Sequence, residues 1–304
     1  MKLGFMSAAL PQWTLDQVVD WASTNKFETL ELMCWPTGDA NRRYAGVTHI
    51  DVLNLTKASA ARVNTLLKSH GLELSALGYY PNPMHADTSH REQVIAHLKR
   101  VIEAAALLEV LVVSTFVGRD RTKTIEQSLN DFAGVWPPIA NFAAERGVRL
   151  AIENCPMIFS NDEWPGGDNL AHAPGIWRRM FEIIPQVNFG LCFDPSHLVW
   201  QMIDVARAVR EFGSRIFHVH AKDLQIDREQ LYQNGILSLG MGWQVPRLTG
   251  LGDVQWSEFF SALYSTGYDG AICIEHEDRA FEGSTEQVQR GFLLARDVLR
   301  PLVH

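Results

Sequence analysis

Eight times along this chain a short apolar run gives way to a stretch with helical periodicity, and that alternation restricts the possible folds more than any other feature. The runs are Leu3–Met6, Thr29–Met33, Leu72–Gly78, Val110–Phe116, Val148–Ile152, Asn188–Phe193, Arg215–His220 and Gly270–Ile274. The first helix is expected to open at Thr14 as its N-cap, with Leu15, Val18, Val19 and Ala22 on one face. The others are expected at about Ile50–Ser69, Ser89–Leu108, Thr124–Arg146, Gly175–Ile184, Asp204–Phe212, Trp256–Thr266 and Thr285–Leu299. Gly71 and Gly147 stop two of them, and Trp136-Pro137-Pro138 is expected to kink or split the second of these, Thr124–Arg146. Strands that alternate with helices lie parallel and are joined by right-handed crossovers. Eight such units in 304 residues fit a closed (β/α)8 TIM barrel, read as one domain over residues 1–304. An open doubly wound sheet would carry a glycine-rich phosphate turn after its first strand, and Met6-Ser7-Ala8-Ala9-Leu10 has none.

Composition narrows the class. With 46% apolar and 20% charged residues, the chain is neither disordered nor a coiled coil. The net charge of −8, with no basic run, offers no grip on a phosphate backbone, so nucleic acid is not an expected partner. The four cysteines, at 34, 155, 192 and 273, form no close pair and read as reduced thiols. Val101–Val117 is broken by Glu103 and Glu109, and there is no signal-like apolar core. The expectation is a cytoplasmic protein with no membrane span.

In barrels of this kind the reactive groups sit where strands end. The fifth run ends in Ile152-Glu153-Asn154 and the sixth in Phe193-Asp194-Pro195-Ser196-His197. The seventh ends in His218-Val219-His220-Ala221-Lys222-Asp223, and the eighth in Ile274-Glu275-His276-Glu277-Asp278. Because side chains alternate along a strand, Glu153, Asp194, His220 and Glu275 can all point inward above a layer of Ala151, Cys192, His218 and Cys273. Ile152, Phe193, Val219 and Ile274 then face the helices. Three converging acids need a counter-charge, and only His220 and Lys222 lie among them. A single divalent cation resolves the conflict. Three carboxylates and an imidazole suit Mn2+ first, with Mg2+ or Co2+ as alternatives and Zn2+ behind them.

Other polar and aromatic residues have bland readings. His218 reads as a core histidine. His276 and Glu277 read as facing a loop or the surface, and His49 and His97 as lying on solvated faces. Trp13 and Trp35 either fill the core or line a sugar pocket. Gly250 and Gly252 either make an anion nest or simply turn the chain.

Taken together, the four strand-end motifs resemble the xylose-isomerase-like barrel superfamily, and within it the sugar phosphate isomerase/epimerase family. Ketose 3-epimerases and inosose dehydratases are relatives. The resemblance spans the whole chain. It implies that Glu153, Asp194, His220 and Glu275 bind one divalent metal, that Glu153 and Glu275 act as base and acid, and that His197 touches substrate oxygens. Lys222, Asp223 and Arg228 join Trp13 and Trp35 as expected substrate contacts. The implied activity is isomerisation or epimerisation of a small sugar or keto-sugar through an enediolate. The alternative is a lyase or dehydratase acting on a keto-sugar or keto-inositol.

Two further readings stand behind these: a DNA-repair endonuclease and a non-catalytic sugar-binding subunit. The first is disfavoured by the acidic balance and by the absence of extra ligands at Tyr79-Tyr80 and Thr115-Phe116, the second by the full ligand set. The long connection at about 221–253, with Gln225, Arg228, Tyr232, Trp243 and Arg247, departs from the ketose 3-epimerases. It reads as a lid or as part of a contact in a homodimer or homotetramer.

Overall fold

The computed structural model describes residues 1–37, 44–158, 167–238 and 242–304. Its strands are β1 (Lys2–Met6), β2 (Thr29–Met33), β3 (Glu73–Gly78), β4 (Val112–Thr115), β5 (Arg149–Glu153), β6 (Phe189–Phe193), β7 (Ile216–Ala221), β8 (Asp223–Ile226), β9 (Gln244–Arg247) and β10 (Ala271–Ile274). All but β8 and β9 are parallel and close into a barrel in the order β1-β2-β3-β4-β5-β6-β7-β10. Each barrel strand falls on one of the eight apolar runs, so the (β/α)8 expectation holds.

The helices are α1 (Leu15–Thr24), α2 (Lys57–Ser69), α3 (Thr88–Leu107), α4 (Ile125–Ala144), α5 (Pro174–Ile183), α6 (Ser196–Val199), α7 (Val205–Phe212), α8 (Arg228–Ser238), α9 (Trp256–Ser265) and α10 (Thr285–Leu299). Thr14 caps α1 as expected, in a reciprocal pair with Gln17. No helix among the described residues is long and apolar enough to cross a membrane.

Two helices differ from expectation. The second starts at Lys57 instead of Ile50, because the Asp51 carboxylate takes the Leu53 N–H and the Asn54 amide and so folds a turn. Thr56 then opens α2 through a capping pair with Ser59. The fourth helix is not split, since α4 runs through Pro137 and Pro138. Trp136, fully buried and donating Nε1–H to Val117 O, pins that turn against the barrel.

Alternation along the strands separates two cores. Leu30, Leu32, Ile152, Phe193, Val219 and Ile274 point outward and pack with the helices. Ala151 and Cys192 lie inside the barrel with Ala76 and Val112. The β7–α9 connection holds β8 and β9, an antiparallel pair in the register Asp223↔Arg247 and Ile226↔Gln244. Between them lies α8, broken at Gly235 by a left-handed φ of 62°. Residues 159–166, between β5 and α5, and residues 239–241 of this connection lie outside the described residues.

Candidate active site

Four strand ends deliver Glu153, Asp194, His220 and Glu275 to one end of the barrel, and all four are buried. Asn154 ties two of these ends together. Its amide donates to Asp194 O, and its Oδ1 accepts the Asp194 N–H. His220 Nδ1 lies 3.8 Å from Glu153 Oε2 and 3.4 Å from Glu275 Oε2. Those three donors stand within 4.8 Å of one another. Asp194 Oδ2 is faced by His197 Nε2 at 3.1 Å and Lys222 Nζ at 3.2 Å, and the buried His220 Nδ1 makes no aligned hydrogen bond. Buried polar atoms are otherwise almost always satisfied. Donors of oxygen-rich character, gathered at one point around an unsatisfied imidazole nitrogen, fit a divalent cation.

The sequence reading missed the residue that orients this set. Glu31, in the middle of β2, accepts a hydrogen bond from His218 Nε2 at 2.9 Å and from His220 Nε2 at 2.8 Å. Its other oxygen accepts the Tyr80 hydroxyl. A carboxylate only accepts, so His220 carries a proton on Nε2 and turns Nδ1 toward Glu153 and Glu275. Burial pushes Glu31 up, but His220 and His218 outweigh it and hold the carboxyl well below the usual range. Gly78 makes the room, because a Cβ there would meet Met33 Cε at 2.2 Å and Glu31 Oε1 at 2.6 Å. His218 is thus the satisfied core histidine expected of it.

Lys222 is buried and reaches Glu275 Oε2 at 3.0 Å, and Asp194 Oδ2 and Glu277 Oε2 at 3.2 Å each. Burial lowers its pKa, but Glu275, Glu277 and Asp194 together carry it well above the ordinary value. The two glutamates of the cluster differ. Burial also pushes Glu153 up, yet His197 and His220 hold it at about 2. For Glu275 burial prevails over Lys222, and its pKa is raised, with Glu153 and Glu277 adding to the rise.

Above the cluster opens a cavity of about 360 Å³, at the low end of the range for small-molecule sites. Glu153, His197, Lys222 and Glu275 line it, and so does Trp35. Tyr80, Phe116, Cys155, Trp200 and Glu277 also line it and were not expected to. Glu277 therefore faces the cavity rather than the surface. Its neighbour His276 is buried, edge-on to Phe292 at 5.3 Å.

Three expected substrate contacts lie elsewhere. Trp13 packs against Trp21 at 6.0 Å in the outer core. Arg228 is exposed on the first turn of α8. Asp223 is buried away from the cavity, where its carboxylate accepts the N–H groups of Leu224, Gly250 and Val254 and the Trp256 indole. The glycine turn around Gly250, with φ of 89°, does cradle an anion, and that anion is Asp223 itself.

Comparison with known proteins gives a consistent picture. Residues 19–298 match the family described as the xylose isomerase-like TIM barrel. The uncharacterized protein YfiH of Bacillus subtilis (strain 168) is 27% identical over 91% of this chain and 93% of its own. An inosose dehydratase of Clostridium perfringens is 29% identical over 91% and 90%. Among solved structures, a D-psicose 3-epimerase has a TM-score of 0.73 at 15% identity, covering 100% of this chain and 99% of that one. The IolI protein with a bound zinc atom has a TM-score of 0.72 at 16% identity, covering 100% and 98%. At such identities the structural likeness is one of fold.

Proposed function

We propose, because this chain belongs to the xylose isomerase-like TIM barrel family, that it is a divalent-metal-dependent isomerase or epimerase of a small sugar or keto-sugar. The observation that carries the reading is the convergence of Glu153, Asp194, His220 and Glu275 on the floor of a sugar-sized cavity. Mn2+ is the ion we assign, with Mg2+ or Co2+ able to replace it, given the three oxygen donors and one nitrogen donor. The likeness to a zinc-bound structure keeps Zn2+ in the set to be tested.

When bound, the cation would supply Lewis-acid stabilisation of negative charge on the substrate's oxygens. The protein's own groups then move the proton. Glu153, held ionised by His197 and His220, takes it from the carbon beside the carbonyl. Glu275, whose pKa is raised, returns it from the other side. Lys222 and His197 hold substrate oxygens, and Trp35 offers a ring face to sugar C–H groups. Leu224, Gln244 and Pro246 of the β8–β9 unit add a wall to the cavity, which supports a covering role for that connection.

A second reading is a dehydratase on a keto-sugar or keto-inositol. It is favoured by the 29% identity to inosose dehydratase over nearly the full chain. Both reactions begin with the same proton abstraction. The acidic balance supports small-molecule rather than nucleic-acid partners. Four free cysteines agree with a cytoplasmic setting. A homodimer or homotetramer is the assembly we assign.

The test is incubation of Mn2+-loaded protein in D2O with ketoses, aldoses, 3-keto-glycosides and keto-inositols, followed by NMR. Deuterium next to a carbonyl is expected only with metal present, and the product skeleton separates epimerase from dehydratase. Glu275→Gln should retain the fold and abolish exchange. Near-normal exchange in that variant would remove Glu275 from the chemistry.

A further inference from the structure

The same cavity holds a second set of donor atoms, which adds Cys155 to two residues already used above, Glu153 and His197. Cys155, His197 and Glu153 each present one donor, and the three lie within 4.8 Å of one another. His197 is only 8% exposed, and its Nε2 makes no aligned hydrogen bond. It stands 3.1 Å from Asp194 Oδ2 and 3.4 Å from Glu153 Oε1. Glu153 divides its two oxygens, since Oε1 faces His197 while Oε2 faces His220 at 3.8 Å. Cys155 lies two residues past the end of β5 and is half-buried on the cavity wall, whereas Cys34, Cys192 and Cys273 are fully buried.

The His197–Glu153 spacing is that of a tetrahedral edge. With nitrogen and oxygen about 2.1 Å from the ion, neighbouring donors stand roughly 3.4 Å apart. The donor set also differs in kind from its neighbour. A thiolate with an imidazole and one carboxylate oxygen is softer than three carboxylates with an imidazole, so the two places select different ions.

We propose that Cys155, His197 and Glu153 Oε1 form a second, thiophilic cation site for Zn2+ or Co2+, with Glu153 bridging it to the cluster of Asp194, His220 and Glu275, so that an ion there withholds Glu153 and His197 from the roles given them above. The two sites share Glu153, and the test tells their failures apart. The full chain is stripped of metal and dialysed against Co2+, then read by metal analysis and by absorption. The expected result is two Co2+ per chain and a near-ultraviolet thiolate-to-cobalt charge-transfer band. Cys155→Ser should bind one Co2+, lose that band and keep the visible cobalt absorption of the remaining site. Glu275→Gln should keep the near-ultraviolet band.

One Co2+ per chain in the unaltered protein would overturn the inference, with or without the band. So would two Co2+ without a band, or a band that survives Cys155→Ser. One Co2+ with no thiolate band leaves the proposed catalytic centre standing, whereas no cobalt uptake at all removes both.

Discussion

Glu31 shows how a single residue governs the chemistry of others. It touches neither the cavity nor the proposed cation, yet it sets which nitrogen of His220 faces them. Glu31→Gln keeps the shape but offers one oxygen where Tyr80, His218 and His220 present three donors. Metal affinity should fall about 10–100-fold, the usual range for loss of a partner behind a ligating histidine. A Mn2+ titration of the folded variant checks it, and unchanged affinity would mean that His220 is held by other contacts.

Glu31 also marks where the sequence stops being informative. The strand-end residues Glu153, Asp194, His220 and Glu275 were legible because barrels put their chemistry there and alternation fixed their facing. Glu31 sits mid-strand in Thr29-Leu30-Glu31-Leu32-Met33 and left one available signal, a charge inside a fully buried run. Trp13 and Trp35 gave no signal at all, since both follow a strand, and only the path of the next loop sends one to the cavity and the other into the outer core.

At the scale of elements, the β8–β9 unit depends on one buried carboxylate. Asp223 gathers N–H groups from Leu224, Gly250 and Val254 and the Trp256 indole, fastening the end of β7 to the start of α9. Its place directly after the His-Val-His-Ala-Lys run made it look like part of the site. What separates it from Lys222 is alternation, which turns one side chain into the cavity and the next away from it. Asp223→Ala strands several buried donors at once, each costing about 1–3 kcal/mol. Urea unfolding should show a loss of about 3 kcal/mol or more, while Mn2+ stoichiometry stays at one per chain. A stability loss below about 1 kcal/mol would mean that water replaces the carboxylate. Helix limits were less legible than strand limits for the same local reason, as with Asp51, whose turn shortens α2 in a way that periodicity does not register.

For the molecule as a whole, burying Glu31, Glu153, Asp194 and Glu275 at one end of the barrel ties folding to charge, and a cation that binds only the folded chain adds to stability. At a free Mn2+ concentration 100 times its dissociation constant the gain is about 2.7 kcal/mol. Thermal unfolding with Mn2+ and with a chelator should differ by several degrees in Tm. No difference would mean that the cluster is satisfied without metal.

Acid should act through a different group. His49 was read as lying on a solvated face, but it is half-buried, with Nδ1 against the Ser7 hydroxyl at 2.9 Å. Burial pushes its pKa down to about 4 in spite of backbone contacts that favour the charged form. The unfolded chain therefore binds a proton between about pH 6.5 and pH 4 that the native state does not, so stability rises with pH across that window. The contribution is complete above pH 6.5 and is lost as pH falls toward 4, at up to about 1.4 kcal/mol per pH unit. The titrations of Glu153 and Asp194, held low, belong to more acid conditions, and those of His197 and His220, held high, to more alkaline ones. Subtracting a His49→Asn variant isolates the histidine from all of them. In urea unfolding series from pH 8 to pH 4, the difference in stability between the two proteins should be flat down to about pH 6.5 and then shift in favour of the variant. A difference that stays constant to pH 4 would show that His49 takes up its proton in the folded protein as readily as in the unfolded one.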